Sequence, residues 1–126
     1  MISQSIRAVL AATAFAVTAV SATPLAQAAS FDGPWSVVVT TTRGPCDQSY
    51  RYGVMIRGSS VSYLGGGAVS VSGRVNSSGH VNVNVSTGGQ SANGSGRLSN
   101  NGRGGGTWRG QGPQGACSGT WSASQG

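Results

Sequence analysis

Apolar and polar residues alternate along most of the chain after residue 30, and no stretch there has the period of an amphipathic helix. Because successive side chains of a strand point to opposite faces, this alternation predicts strands with one buried face. Glycine-rich segments separate them. The link 76–79, which reads Asn-Ser-Ser-Gly, has residues that tolerate the positive backbone angles of a tight hairpin. The pattern therefore predicts an all-β chain.

About eight short strands are predicted, joined by short turns, which is typical of an antiparallel meander. The residues predicted to share the inner face are Trp35, Val37 and Val39; Tyr50, Tyr52, Val54 and Ile56; Val61 and Tyr63; Val69, Val71 and Val75; Val81, Val83 and Val85; Ala92, Gly94, Gly96 and Leu98; Trp108; and Cys117, Gly119 and Trp121. Closure, complete or nearly so, into a small barrel would remove exposed strand edges. A barrel is the expected architecture, with an open sandwich or a loose repeat fibre as the alternatives.

The first 28 residues have a different composition from the rest. Segment 1–7 ends in a positive charge, segment 8–22 is uncharged and dominated by small apolar residues, and segment 26–28 reads Ala-Gln-Ala. These are the three parts of a secretory signal peptide, and the apolar run is shorter than the ~20 residues of a membrane-spanning helix. We expect residues 1–28 to be removed, leaving one secreted or periplasmic domain over 29–126 without a transmembrane span.

Cys46 and Cys117 are the only cysteines of the chain. The exported compartment permits a disulfide, and such a bridge would stabilise the domain by roughly 4 kcal/mol in the chain-entropy treatment. A metal site needs more ligands than a single histidine and two aspartates supply. The sequence therefore predicts a structural disulfide, no metal and no other cofactor.

The charge of the predicted mature chain is strongly basic. Seven arginines stand against two aspartates, which leaves +5, and lysine and glutamate are absent. A basic domain attracts polyanions such as acidic glycan, lipopolysaccharide or nucleic acid. The arginines are spread along the chain and form no local motif, so charge for solubility alone is the other interpretation.

The acid–base inventory is too small to suggest catalysis. His80 is the only histidine, and Asp32 and Asp47 lie beside a Gly-Pro turn and a cysteine. No serine-nucleophile motif occurs on a strand-to-helix turn, and no phosphate-binding loop follows the glycine runs. We expect the protein not to be an enzyme.

Aromatic residues and arginines are the best candidates for a binding site, because they combine flat apolar surface with fixed cationic donors. The candidates are Tyr50, Arg51, Tyr52, Tyr63, Trp108 and Arg109. Such a set suits sugars, acidic glycans or planar ligands, although core packing explains much of the same pattern. We expect a monomeric, non-catalytic binding protein for a small or polyanionic ligand. A self-associating surface protein and a periplasmic inhibitor of a hydrolase are the alternatives.

The mature chain resembles a group of small exported bacterial proteins of unknown activity. The segments that carry this resemblance read FDGPWSV (31–37), CDQSYRY (46–52), GRLS (96–99), TWRG (107–110) and CSGTW (117–121). The resemblance implies a fold but no functional residues. The Gly33-x-Trp35 start is also similar to that of lipocalin-like and avidin-like meander barrels, in which a tryptophan closes one barrel end, often under an arginine. That similarity implies that Trp35 is a barrel plug, with Arg109 as its partner.

Overall fold

The computed structural model of the protein describes residues 31–126. The predicted signal peptide, its cleavage site and the first two residues of the predicted mature domain lie outside these residues. No helix long and apolar enough to cross a membrane occurs in the described part of the chain.

Eight antiparallel strands follow one another around a closed barrel, as the alternation of apolar residues predicted. The strands are β1 (Gly33–Arg43), β2 (Ser49–Arg57), β3 (Ser60–Tyr63), β4 (Ser70–Val75), β5 (His80–Thr87), β6 (Gln90–Leu98), β7 (Arg103–Gly112) and β8 (Gly115–Gln125). Each strand pairs with the next, and β8 pairs with β1 so that Val39 lies opposite Trp121. Closure is therefore complete.

Several strands extend beyond the apolar segments that predicted them. β1 continues to Arg43, β7 to Gly112 and β8 to Gln125, because backbone pairing does not need an apolar side chain. One strand is shorter than predicted: the alternation places Val69 in the fourth strand, but β4 begins at Ser70.

The two ends of the barrel differ in their packing. The closed end contains the connections 58–59, 76–79 and 99–102, and the open end contains the connections 44–48, 64–69, 88–89 and 113–114. The buried core is concentrated at the closed end and consists of Phe31, Trp35, Val54, Ile56, Val61, Val75, Val81, Leu98 and Ala123. Apolar side chains therefore fill the barrel interior at its closed end.

The conformation of the β4–β5 hairpin at the closed end is determined by the four residues 76–79 that connect its strands. The side-chain oxygen of Asn76 accepts hydrogen bonds from the backbone N–H groups of Ser78 and His80, at 3.0 and 2.9 Å. Gly79 has a φ of +93°, which side chains rarely permit. The predicted turn chemistry is therefore present in the structure.

Glycines of β6 and β8 lie next to two tryptophan rings on the inner wall. Trp108 lies between Gly94 and Gly119 in the cross-strand register, and Trp121 lies next to Gly106. The Trp108 indole N–H donates to the carbonyl oxygen of Thr40 at 2.9 Å, across the intervening strand β8. A Cβ at Gly119 would lie 2.9 Å from the Trp108 indole nitrogen, and a Cβ at Gly96 would lie 2.7 Å from a ring carbon of Trp121. The missing side chains at these two glycines therefore make room for the indoles.

Candidate ligand cavity in the barrel

The barrel interior contains a cavity of about 140 Å³ that extends from Trp35 toward the open end. Valines are the most frequent residues of its wall: Val37, Val39, Val54, Val61, Val71, Val81, Val83 and Val85. Aromatic rings form a second group: Trp35, Tyr50, Tyr52, Trp108 and Trp121. The period of two in the sequence places these side chains inside, because each occupies an inward position of its strand.

Polar residues border the cavity only toward the open end, where Thr87, Gln90, Ser91 and Gln111 belong to its lining. A cavity of about 150 Å³ lined by aliphatic and aromatic groups is large enough to hold benzene. The interior can therefore accept a molecule of that size with an apolar body, and a polar substituent would meet the rim.

Trp35 forms the floor of the cavity and is only 2% exposed. Its indole N–H donates to the carbonyl oxygen of Phe31 at 2.8 Å. The position is that of a plug, but the arginine suggested by the resemblance does not cover it. Trp35 pairs with Gln125 on β8, whereas Arg109 pairs with Ser118 and is exposed on the outer face.

Three tyrosines form a cluster on β2 and β3 near the open end. The rings of Tyr50 and Tyr52 stack with centroids 6.5 Å apart, and Tyr52 meets the edge of Tyr63 at 6.2 Å. The Tyr50 hydroxyl accepts a hydrogen bond from the backbone N–H of Asp47 at 3.1 Å. Within residues 31–126 the Tyr52 hydroxyl has no hydrogen-bond partner, so it is available to a ligand at the mouth.

Burial raises the pKa of Tyr52 above its usual value of 10.0, and the neighbouring hydroxyls of Tyr50 and Tyr63 add to the increase. Because the folded state holds this proton more tightly than the unfolded state, the contribution to stability is present below pH 10. It is lost as pH rises through the raised pKa. We expect Tyr52→Phe to remove a late phase from the tyrosinate absorbance titration. A titration of unchanged shape in that variant would contradict the burial of this hydroxyl.

Only some of the six predicted binding residues lie together. Tyr50, Tyr52 and Trp108 line the cavity, and Tyr63 contacts Tyr52 without belonging to the lining. Arg51 and Arg109 are exposed on the outer face, next to the inward-facing tyrosines and tryptophan in sequence but on the opposite side of the sheet. Adjacent strand residues point to opposite faces, so an aromatic–arginine dipeptide cannot place both side chains in the cavity.

The rim residues Thr87, Gln90 and Gln111 were not predicted from the sequence. They lie at the ends of β5, β6 and β7, beside the connections 88–89 and 113–114. In a meander every second connection lies at the same end of the sheet. The predicted strand order therefore indicates which connections surround the open end, and the residues beside those connections could have been predicted to form the rim.

The predicted disulfide between Cys46 and Cys117 is present, with Cα atoms 6.1 Å apart. It ties the β1–β2 connection to β8 at the open end, and Cys46 also borders the cavity. The backbone N–H of Cys46 donates to the sulfur of Cys117 at 3.1 Å. The bridge thus holds one side of the cavity mouth.

Among residues 31–126, the acid–base side chains His80, Asp32 and Asp47 do not belong to the cavity lining. His80 is exposed on the outer face, where its ring nitrogens are 3.2 Å from the Ser78 hydroxyl and 3.1 Å from the Arg97 guanidinium. Asp32 accepts the backbone N–H of Gly58 at the closed end, and Asp47 lies at the open end. Among residues 31–126 no three His, Cys, Asp or Glu side chains are close enough to hold a metal ion.

Fold and site together define a closed eight-stranded meander barrel with an apolar interior cavity. Comparison of the chain with models of protein families, with curated proteins and with solved structures finds no significant match. The resemblances to small exported bacterial proteins and to lipocalin-like and avidin-like barrels remain expectations from the sequence.

Proposed function

We propose that the protein is a non-catalytic binding protein that holds one small apolar ligand inside its barrel, in the periplasm or outside the cell. The cavity between Trp35 and the open end carries the proposal, because its lining is almost entirely aliphatic and aromatic. Transfer of an apolar molecule from water into such a lining is favourable. The disulfide supports an oxidising location.

The size of the cavity limits the ligand class. Pockets for larger organic ligands measure about 300–1,000 Å³, well above the 140 Å³ found here. The ligand is therefore a single ring or a short branched chain. A hydroxyl on that ligand would find Tyr52 at the mouth, so a phenol-like molecule fits better than a pure hydrocarbon.

Two features support binding over the alternative functions. His80, Asp32 and Asp47 lie outside the cavity lining, so the described residues 31–126 place no acid–base pair in it. The end strands β1 and β8 are already paired with each other, which takes away the edges through which a self-associating strand protein would grow.

A pair of valine-to-phenylalanine variants tests the proposal. Val83 lines the cavity, whereas Val38 faces outward between Arg51 and Ser122. Val83→Phe fills the space that the ligand needs, so we expect it to weaken binding of toluene and of phenol at least tenfold. Val38→Phe makes the same chemical change on the outer face and should leave both affinities unchanged. Ligand-observed NMR titration measures both.

Absence of toluene and phenol binding to the native protein would overturn the proposal. Equal affinities in the native protein and in folded Val83→Phe would do the same, because the ligand would then be bound elsewhere. Tyr52→Phe provides an internal comparison: it should weaken phenol and leave toluene unchanged, since only phenol can hydrogen-bond the tyrosine hydroxyl.

A further inference from the structure

Two arginines lie on either side of strand β8, on the outer face near the open end. Arg109 of β7 pairs with Ser118 of β8, and Ser118 pairs with Arg43 of β1. Neighbouring strands lie about 4.8 Å apart, so the two arginine backbones are separated by only about 10 Å. Both long side chains can therefore reach one ligand placed over Ser118.

The pair is not neutralised by the protein. Within the described chain neither the Arg43 guanidinium nor the Arg109 guanidinium forms a hydrogen bond or an ion pair, whereas Arg74 bonds the Ser59 hydroxyl and Arg97 the His80 ring. Asp47 lies in the β1–β2 connection after Arg43 but makes no ion pair there. An incoming anion would thus meet two guanidinium groups whose donors are unused.

The surface beside the pair is a shallow, open depression of about 710 Å³ that reaches across β7 and β6 to β5. Asn84, Asn93, Arg109 and Ser118 form one cross-strand row. The Asn93 amide donates to the Asn84 side-chain oxygen at 2.9 Å, which leaves the Asn84 NH₂ group and the Asn93 oxygen for a ligand. Gln111 adds a further amide, and the lining contains no carboxylate.

We propose that this surface, which we call the Arg43–Arg109 groove, binds an acidic saccharide. The sulfate, phosphate or carboxylate substituent lies between the two arginines, because guanidinium groups match such oxyanions with paired hydrogen bonds. The sugar hydroxyls lie along Asn84 and Asn93, whose amides both donate and accept. Amides and hydroxyls next to unpaired arginines favour a saccharide over a polyanion without hydroxyl groups.

Binding of dextran sulfate, neutral dextran of equal length and polyglutamate tests the groove. The native protein should bind dextran sulfate and not neutral dextran. The double variant Arg43→Gln/Arg109→Gln should weaken dextran sulfate at least tenfold. The control Arg51→Gln/Arg103→Gln removes the same charge from exposed arginines that are not neighbours in the sheet, and it should weaken binding no more than about threefold, through long-range attraction alone.

A further variant tests whether the groove recognises the sugar as well as the charge. Asn93→Ala should weaken dextran sulfate and leave polyglutamate unchanged. Equal losses in the two arginine double variants would overturn the proposal, since net charge alone would then explain binding. Polyglutamate affinity equal to that of dextran sulfate would also overturn it. Competition with inorganic sulfate or inorganic phosphate distinguishes a sulfated from a phosphorylated source.

The Arg43–Arg109 groove and the cavity share Val85, Ser91, Ala92 and Gln111, but the variants that test them change residues belonging to only one of the two linings. The groove arginines are on the outer face and are absent from the cavity lining. The arginine variants should therefore bind phenol normally, and Val83→Phe should bind dextran sulfate normally. Either site can fail its test without affecting the other.

Discussion

Loss of the Cys46–Cys117 disulfide is expected to lower the free energy of unfolding by roughly 4 kcal/mol, and the melting temperature by on the order of 20 °C. The two cysteines are 71 positions apart, so the bridge constrains most of the unfolded chain. The core offers little compensation, because only nine of residues 31–126 form the buried apolar cluster and most of them lie at the closed end. Urea unfolding of the oxidised and the reduced protein measures the difference.

A double variant provides the control for the disulfide prediction. Cys46→Ser/Cys117→Ala should have the reduced protein's stability, and added reductant should leave it unchanged. Alanine is chosen at position 117 because the site is 4% exposed and an unpaired hydroxyl there would add its own cost. A difference below about 1 kcal/mol between oxidised and reduced protein would contradict the view that the bridge is a main source of stability.

Gly119→Ala is expected to destabilise the barrel by roughly 3 kcal/mol or more, because overpacked sites relax only by moving backbone. A Cβ at this position would overlap the carbonyl oxygen of Thr40 and lie 2.9 Å from the Trp108 indole nitrogen. That oxygen accepts a hydrogen bond from the Trp108 indole N–H. The methyl group would therefore displace the indole and would also disturb the pairing of β1 with β8. Urea unfolding followed by tryptophan fluorescence measures the loss.

The matched control is Gly53→Ala on β2. A Cβ there would meet only Leu64 side-chain atoms, at 3.7 and 3.8 Å, which is ordinary van der Waals distance. Replacement of a strand glycine without strain changes stability by less than about 1 kcal/mol. If Gly119→Ala and Gly53→Ala unfolded at the same urea concentration, the close approach of β8 to Thr40 and Trp108 would be refuted.

The strands and their inward faces could be predicted because each depends on local alternation. Tyr52, Val54 and Ile56 follow one another at a spacing of two, and all three face inward. The same rule places Arg51 outside, so the prediction of one site containing Arg51, Tyr50 and Tyr52 is wrong: these neighbours in sequence lie on opposite faces of β2.

The cavity and the groove depend on distances that no local pattern contains. The β1–β8 pairing brings Arg43 next to Ser118, 75 positions later in the chain. The remaining interior volume depends on where the Trp108 and Trp121 rings lie, and glycines on other strands determine this. The alternation predicts Gly94, Gly96 and Gly119 on the inner face, but which rings they contact depends on closure of the barrel.

A crystal structure of the oxidised protein equilibrated with saturating phenol tests the central proposal most directly. We expect one phenol inside the barrel, its ring between Trp35, Val83 and Trp108 and its hydroxyl toward Tyr52. An interior filled by the protein's own side chains, with phenol bound only on the outer surface, would contradict it.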